Sequence, residues 1–242
     1  MLTFIFTIYE VILFTAVCFI LYPIAVILFI FTAPFDKKKV ILHKFSCFWG
    51  SLYIWLQPWW KVNWEGKENI NKNQAYVIVS NHQTLIDILV IYSIFKHFKW
   101  VAKQSLLRVP FVGWNMALNG YIIVKRADAK SQIKMMKQSE KTLKSGSSIM
   151  IFPEGTRSAD GNIGRFKRGA FILSEIADVP VIPIALHNVD KAVLKNSIWL
   201  NKSRDMKAKV FPPVYFNDFK NTKEMSAAVK DIISNQLEEW KK

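Results

Sequence analysis

The chain has 242 residues, 51% of them hydrophobic, and a formal net charge of +15 at pH 7. This length suits one α/β domain with an appendage and excludes two full domains. The charge is uneven, because residues 1–35 carry only Glu10 and the other 207 residues carry a net charge of +16. Such a field favours anionic partners: a phospholipid surface, nucleic acid or an acidic protein.

The first 35 residues predict a membrane-associated helix. Residues 11–35 carry no charge. This uncharged segment is long enough for a helix across a hydrocarbon core of ~30 Å. No Lys or Arg precedes this run and no Ala-x-Ala site follows it, so we do not expect a cleaved signal peptide. Three lysines follow at positions 37–39, and they are expected on the cytoplasmic side if the segment spans.

A second apolar stretch, residues 40–60, leads into tryptophans that favour the headgroup layer, Trp55, Trp59, Trp60 and Trp64. Two arrangements remain open: a span followed by an interfacial helix, or a two-helix hairpin that enters one leaflet. A buried helix of a soluble protein is disfavoured by the length of the first run. We therefore assign residues 1–60 to membrane-associated helices and residues 61–242 to an α/β domain.

The two cysteines, Cys18 and Cys47, stand in apolar surroundings and far from any cluster of histidines. This pattern predicts buried free thiols and no metal site, in a chain that faces the cytosol.

From Val62 onward, short apolar runs alternate with helical patterns. The predicted strands are residues 75–80, 99–102, 121–124, 149–152, 181–186 and 209–215. The last of these contains Pro212 and Pro213, so we expect it at a sheet edge. The predicted helices are residues 85–95, 129–144 and 222–241, with a broken segment at 105–118. This order predicts a mostly parallel or mixed sheet of about seven strands, flanked by helices.

The predicted helix at residues 129–144 carries five lysines away from its apolar stripe. An ordinary solvated face explains this pattern at least as well as a docking surface does. We assign the helix no function on sequence grounds.

Residues 81–87, Asn-His-Gln-Thr-Leu-Ile-Asp, follow a predicted strand at the place where open α/β sheets gather their sites. With His82 in the turn and Asp87 in the first helical turn, the carboxylate can hold one ring nitrogen. The other nitrogen is then free to accept a proton. By itself this pattern is unspecific, because a histidine after a strand is often only a turn residue.

Residues 152–158, Phe-Pro-Glu-Gly-Thr-Arg-Ser, follow another predicted strand. Their turn can point backbone N–H groups at an anion, and Arg157 adds a guanidinium fork. The alternative is a tight surface turn with an exposed arginine. No Gly-x-Ser-x-Gly sequence is present, which argues against a lipase-type serine nucleophile, and no nucleic-acid-binding motif is present.

These two motifs occur in order with residues 120–126, Gly-Tyr-Ile-Ile-Val-Lys-Arg, and residues 179–183, Val-Pro-Val-Ile-Pro. Together they resemble the glycerolipid acyltransferases, most closely the 1-acyl-sn-glycerol-3-phosphate acyltransferases. The resemblance covers most of residues 62–215. Thr84 stands where the family more often has Ser, and Ile123 where it often has Phe.

The resemblance implies transfer of a fatty acyl group from a thioester to lysophosphatidate, which gives phosphatidic acid in phospholipid synthesis. The donor would be acyl-CoA or an acidic acyl-carrier protein, with no bound cofactor, no metal and no acyl-enzyme. The implied site residues are His82 and Asp87 for catalysis, Arg157, Gly155, Thr156, Arg126 and Lys103 for the phosphate, and Glu154 and Asn81 in support.

We further expect membrane phospholipids as partners, no nucleic acid, and a place on the cytoplasmic face of a membrane. One alternative keeps the chemistry but uses glycerol 3-phosphate or another lysophospholipid as acceptor. A more distant alternative is a membrane-tethered protein that binds anions or nucleic acid.

Overall fold

The computed structural model describes residues 2–158, 162–193, 201 and 205–242. Its helices are α1 (Leu2–Thr32), α2 (Val40–Trp55), α3 (Ile86–Tyr92), α4 (Val112–Asn119), α5 (Ala129–Lys144), α6 (Gly169–Ala177) and α7 (Thr222–Lys241). Its strands are β1 (Val62–Glu65), β2 (Val77–Ser80), β3 (Phe98–Lys103), β4 (Ile122–Val124), β5 (Ser148–Ile151), β6 (Val181–His187) and β7 (Met206–Val210).

The strands form one sheet in the order β1-β7-β6-β2-β5-β3-β4. Strands β2 to β6 are parallel to one another, whereas β7 runs antiparallel to β6 and parallel to β1. The predicted mixed, mostly parallel sheet of seven strands is therefore confirmed. The five parallel strands end at one side of the sheet, which we call the carboxyl edge.

Helices cover both faces of the sheet, because the central strands are apolar on both sides. Along β2, Ile78 packs with residues of α2, α3 and α4, whereas Val77 and Val79 pack with residues of α5, α6 and α7. This alternation follows from the two-residue period of a strand. The molecule therefore has a first helical layer of α2 to α4 and a second helical layer of α5 to α7.

Helix α1 lies outside the first helical layer. It packs against α2 through a cluster that includes Cys18, Ala25, Leu42 and Trp49. Its remaining surface is apolar and exposed, as at Phe19, Ile20 and Phe31. Among the described residues, one segment, Phe6–Thr32, is long and apolar enough to cross a membrane. This N-terminal helix can therefore anchor the chain to a bilayer.

Several sequence predictions need correction. The strand predicted at residues 209–215 is β7, which ends before Pro212 and lies between β1 and β6, so the prediction of an edge strand was wrong. The prolines follow the strand and do not interrupt its hydrogen bonds. Strand β1 and helix α6 were not predicted, and α3 ends at Tyr92, before the predicted residue 95. The two cysteines are buried and free, as predicted.

Candidate active site

The turn that carries His82 begins where β2 ends at the carboxyl edge. The side chain of Asn81 holds this turn against β6: its Nδ2 donates to the Leu186 carbonyl at 2.9 Å, and its Oδ1 accepts from the Leu186 N–H at 2.9 Å. Asn81 thus bonds to β6 as a strand residue would. The position of His82 is fixed by the sheet.

His82 and Asp87 form the contact that their spacing predicted. Nδ1 of His82 lies 2.8 Å from Oδ2 of Asp87, which is 1% exposed in the first turn of α3. The same oxygen accepts from the N–H groups of Gln83 (2.7 Å) and Thr84 (2.9 Å). Because a carboxylate only accepts, Nδ1 donates to Asp87, and in the neutral imidazole Nε2 is then the nitrogen with the free lone pair. Among the described residues, no group hydrogen-bonds to Nε2.

Phe152 fixes the plane of the His82 ring. The two rings are stacked at 3.9 Å between centroids with an interplanar angle of 10°. Trp100 supports Phe152 from behind, at 5.7 Å between centroids. Sequence analysis gave Phe152 no role, because an apolar residue at a strand end is usually a core residue.

Glu154 joins the two motifs. Its Oε1 accepts from the His82 N–H at 2.9 Å, and its Oε2 accepts from the Gly164 N–H at 2.8 Å. The N–H of Ser158 also donates to the His82 carbonyl at 2.9 Å. Among the contacts of the described residues, Glu154 pairs with no cation. Its carboxylate therefore shapes the turn and ties it to His82.

Gly155 lets the second motif turn tightly. Its φ is +75°, and an added Cβ would lie 2.7 Å from Nζ of Lys167. Both the backbone conformation and the close approach therefore favour glycine. Within the described chain, the N–H groups of Thr156 and Arg157 make no hydrogen bond, so this turn offers donors to an anion.

A pocket of about 690 Å³ opens beside this turn. Its lining includes the cationic side chains of Arg157, Arg165, Lys167 and Arg168. Glu154, the one carboxylate among the described lining residues, is already bonded to two backbone N–H groups. Positive charge therefore predominates in the described part of the lining. Of these cations, only Arg157 was predicted from the sequence, as a phosphate ligand. The other three were not predicted, although they form a basic run at residues 165–168.

The family model described as Acyltransferase matches residues 61–187, just over half of the chain. The chain belongs to the acyltransferase family. It is 35% identical over 187 residues to a chloroplastic 1-acyl-sn-glycerol-3-phosphate acyltransferase of Arabidopsis thaliana, covering 76% of this chain and 52% of that protein. It is 41% identical over 124 residues to the 1-acyl-sn-glycerol-3-phosphate acyltransferase of Pseudomonas aeruginosa, covering 51% and 48%.

The acyltransferase chain spans about half the length of the curated relatives it matches. Among solved structures, it is similar to the 1-acyl-sn-glycerophosphate acyltransferase PlsC of Thermotoga maritima, with a TM-score of 0.71 and 23% identity. This similarity covers 96% of the present chain and 98% of the other. At this identity the comparison shows that the two chains share a fold.

Two of the predicted phosphate ligands of this acyltransferase lie apart from the pocket. Lys103 ends β3 and Arg126 follows β4, and both are exposed at the carboxyl edge. Their strands are one and two places from β5, or ~5 and ~10 Å along the sheet. Neither lines the pocket that contains Arg157. Their role in phosphate binding stays a prediction.

Proposed function

We propose that this acyltransferase moves a fatty acyl group from a thioester to the sn-2 hydroxyl of 1-acyl-sn-glycerol 3-phosphate, which forms phosphatidic acid. The observation that supports this proposal is that the loop with His82 and the loop with Arg157 are hydrogen-bonded to each other. Together the two loops hold an imidazole with a free Nε2 and, bonded to the same backbone through Glu154, the turn that leads to Arg157. A base beside a cationic pocket suits an acceptor that carries both a hydroxyl and a phosphate.

The proposed reaction needs one base. Nε2 of His82 takes the proton of the acceptor hydroxyl while its oxygen attacks the thioester carbonyl carbon. Asp87 stabilises the imidazolium and keeps the ring in the correct tautomer. When the tetrahedral intermediate collapses, the C–S bond breaks and the imidazolium returns its proton to the sulfur. A thiol has a pKa of about 8.5, so thiolate leaves readily.

The pocket would hold the acceptor's phosphate at a fixed distance from the His82 base. The hydroxyl must come within ~3.2 Å of Nε2 for proton transfer. The guanidinium of Arg157, with the N–H groups of its own turn, can grip two phosphate oxygens at a fixed place relative to His82. Because Glu154 and Ser158 bond that turn to the His82 backbone, the clamp and the base are one rigid unit.

We also propose that α1 enters one leaflet and that the site faces the cytoplasm. Helix α1 packs along α2, and α2 packs against α3. A spanning α1 would carry these partners and their polar groups into hydrocarbon, which costs several kcal/mol for each unsatisfied group. Insertion of the exposed apolar side of α1 avoids this cost.

The proposed acceptor is tested with purified full-length chain in mixed micelles. Lysophosphatidate, glycerol 3-phosphate and lysophosphatidylcholine are compared as acceptors with one acyl-CoA. We expect the highest kcat/KM with lysophosphatidate, and His82→Ala should lower kcat by at least ~10²–10⁴. His97→Gln is the control, because His97 precedes β3 at the opposite edge of the sheet. A preference for glycerol 3-phosphate would contradict the acceptor, and a fully active His82→Ala would contradict the mechanism.

The clamp is tested with Arg157→Lys, which keeps the charge but loses the fork. We expect a raised KM for lysophosphatidate, a smaller fall in kcat, and little change in the KM of the donor. Arg108→Lys, outside the pocket, is the matched control and should behave as the parent. A rise in the donor KM alone would place Arg157 on the thioester side.

Membrane attachment is tested by washing membranes with about 1 M salt, where the Debye length falls to about 3 Å. The parent chain should stay bound, because apolar insertion is not screened. The double variant Ile20→Lys, Phe31→Lys should be released, since both side chains lie on the exposed apolar surface of α1. Release of the parent by salt alone would show that charge, and not insertion, holds the chain.

A further inference from the structure

The exposed side of α5 carries a single arc of lysines. At 100° per residue, all five fall within roughly 80° around the helix. They are Lys130, Lys134, Lys137, Lys141 and Lys144, and all are exposed. The opposite side of α5 is buried through Ser139 and Leu143. The lysines therefore form one continuous stripe, which we call the lysine arc, of about 21 Å along the helix axis.

The lysine arc is not a balanced, solvated helix face. Helix α5 contains one acidic residue, Glu140, which pairs with Lys144 at 2.7 Å. Like charges three or four residues apart on a helix repel each other and destabilise it. Helix α7 in the same layer has three lysines and four acidic residues. The imbalance is therefore a particular property of α5, and it has an intrinsic cost to stability.

Helix α5 lies beside the segment that carries two of the pocket cations. Helix α5 begins at the carboxyl edge, directly after β4, and α6 begins at the same edge with Gly169. A Cβ built on Gly169 would lie 3.8 Å from Sδ of Met136, in the second turn of α5. The residues just before Gly169 are Lys167 and Arg168, which line the pocket. The chain that carries these pocket cations therefore lies next to α5, the helix that carries the lysine arc.

The position of the lysine arc decides between a bilayer and a soluble partner. The exposed apolar surface of α1 lies outside the first helical layer, and the lysine arc lies outside the second, with the sheet between them. A bilayer that takes up α1 therefore does not meet the lysine arc.

From this arrangement, and resting on the proposed function, we propose that the lysine arc docks an acidic acyl-carrier protein. An acidic helix of similar length laid along α5 would match it charge for charge. The carrier's acyl thioester, on its prosthetic arm, would then reach the carboxyl edge past Lys167 and Arg168. Acyl-CoA has no such helix and would not need the lysine arc.

The test compares one acyl chain presented by carrier protein and by CoA, using the full chain in micelles. The triple variant Lys134→Glu, Lys137→Glu, Lys141→Glu reverses the lysine arc. We expect at least a tenfold rise in KM for acyl-carrier protein, a flatter dependence on salt, and kcat/KM for acyl-CoA within twofold of the parent. The matched control is Lys220→Glu, Lys223→Glu, Lys230→Glu, which makes the same charge change at and near α7 and should leave both donors unaffected. Thermal melting checks that both variants fold.

Direct binding of holo-carrier protein to parent and variant is measured separately from turnover. Equal affinity for both, or no binding to the parent, would overturn the proposal. It would also be overturned if both donors lost activity equally, or if the variant lost only its affinity for anionic phospholipid vesicles. If the parent bound carrier protein through the lysine arc but transferred no acyl group from either donor, the docking surface would stand and the proposed function would fail.

Discussion

The His82 imidazole is held on three sides: by Asp87 at Nδ1, by Phe152 across its face and by Glu154 through its backbone N–H. The contact with Asp87 was predictable, because a turn followed by a helix brings residues five apart together. The other two could not be predicted. They depend on β5 lying beside β2, and sequence spacing says nothing about which strands are neighbours.

The stacking of Phe152 leads to a prediction about turnover. Phe152→Leu keeps an apolar side chain but removes the stack, which is worth ~0.5–1.5 kcal/mol. We expect kcat to fall by about 2- to 10-fold, with acceptor KM and melting temperature almost unchanged, since the ring of His82 loses only its fixed plane. Phe152→Tyr should restore kcat. A rise in KM without a fall in kcat would show that Phe152 contacts substrate instead.

At the level of helices and strands, strong periodicity and clear caps gave the most accurate predictions. The observed bounds of α5 and α7 equal the predicted ones, and the Asp128 and Asn221 side chains cap their first turns. Strand β1 is half-exposed and contains Asn63 and Glu65, and α6 has only nine residues, so neither presents a clear apolar pattern. The order of strands was not predictable in detail, so β7 was wrongly placed at an edge.

The contact between α2 and α3 depends on Gly50. A Cβ at this position would lie 2.7 Å from Cδ2 and 2.9 Å from Cβ of Tyr92, atoms that cannot move without shifting α3. Gly50→Ala gains ~1 kcal/mol of helix propensity but overpacks this contact, which costs ~1–3 kcal/mol. We expect a lower melting temperature.

Gly169→Ala is the matched control for Gly50→Ala. Its new Cβ would meet Sδ of Met136 at an ordinary 3.8 Å, so the variant should melt at or above the parent temperature. If Gly50→Ala were equally stable, the two helices would have to adjust to each other more freely than this packing implies.

At the level of the whole molecule, composition predicted a boundary near residue 61. It did not predict the contacts between the segments on the two sides of that boundary. Helix α2 shares buried contacts with the α/β domain: His43 bonds to the Tyr121 hydroxyl, and Ser46 bonds to Asn115. In the loop before α2, Lys39 donates to the carbonyl of Leu118, and Lys99 donates to that of Asn119, both at the end of α4. Composition shows which segments are apolar enough to be buried, but not which other elements they pack against.

Lys99 makes stability depend on pH. Burial, and then the charge of Lys39, lower its pKa to about 8. The unfolded chain has a lysine pKa near 10.4, so between about pH 8 and about pH 10 it binds more protons than the folded chain and stability rises with pH. Lys99→Met should reduce the gain in melting temperature between about pH 7.5 and about pH 9.5. Lys103→Met, exposed on the same strand, should leave that gain unchanged. An unaltered gain in Lys99→Met would assign it to other groups.

The apolar surface of α1 and the lysine arc lie on opposite sides of the sheet. The substrates proposed for these two sides would therefore be measured in different concentration units. Under the proposed function, the lipid acceptor would reach the site by diffusion in two dimensions, and its saturation would follow mole fraction in the surface. The donor proposed to dock on α5 would arrive from three dimensions, and its saturation would follow moles per litre. Adding inert lipid should therefore dilute one substrate and leave the other untouched. On these proposals, acceptor and donor would approach from opposite sides of the sheet, so neither should compete with the other for access.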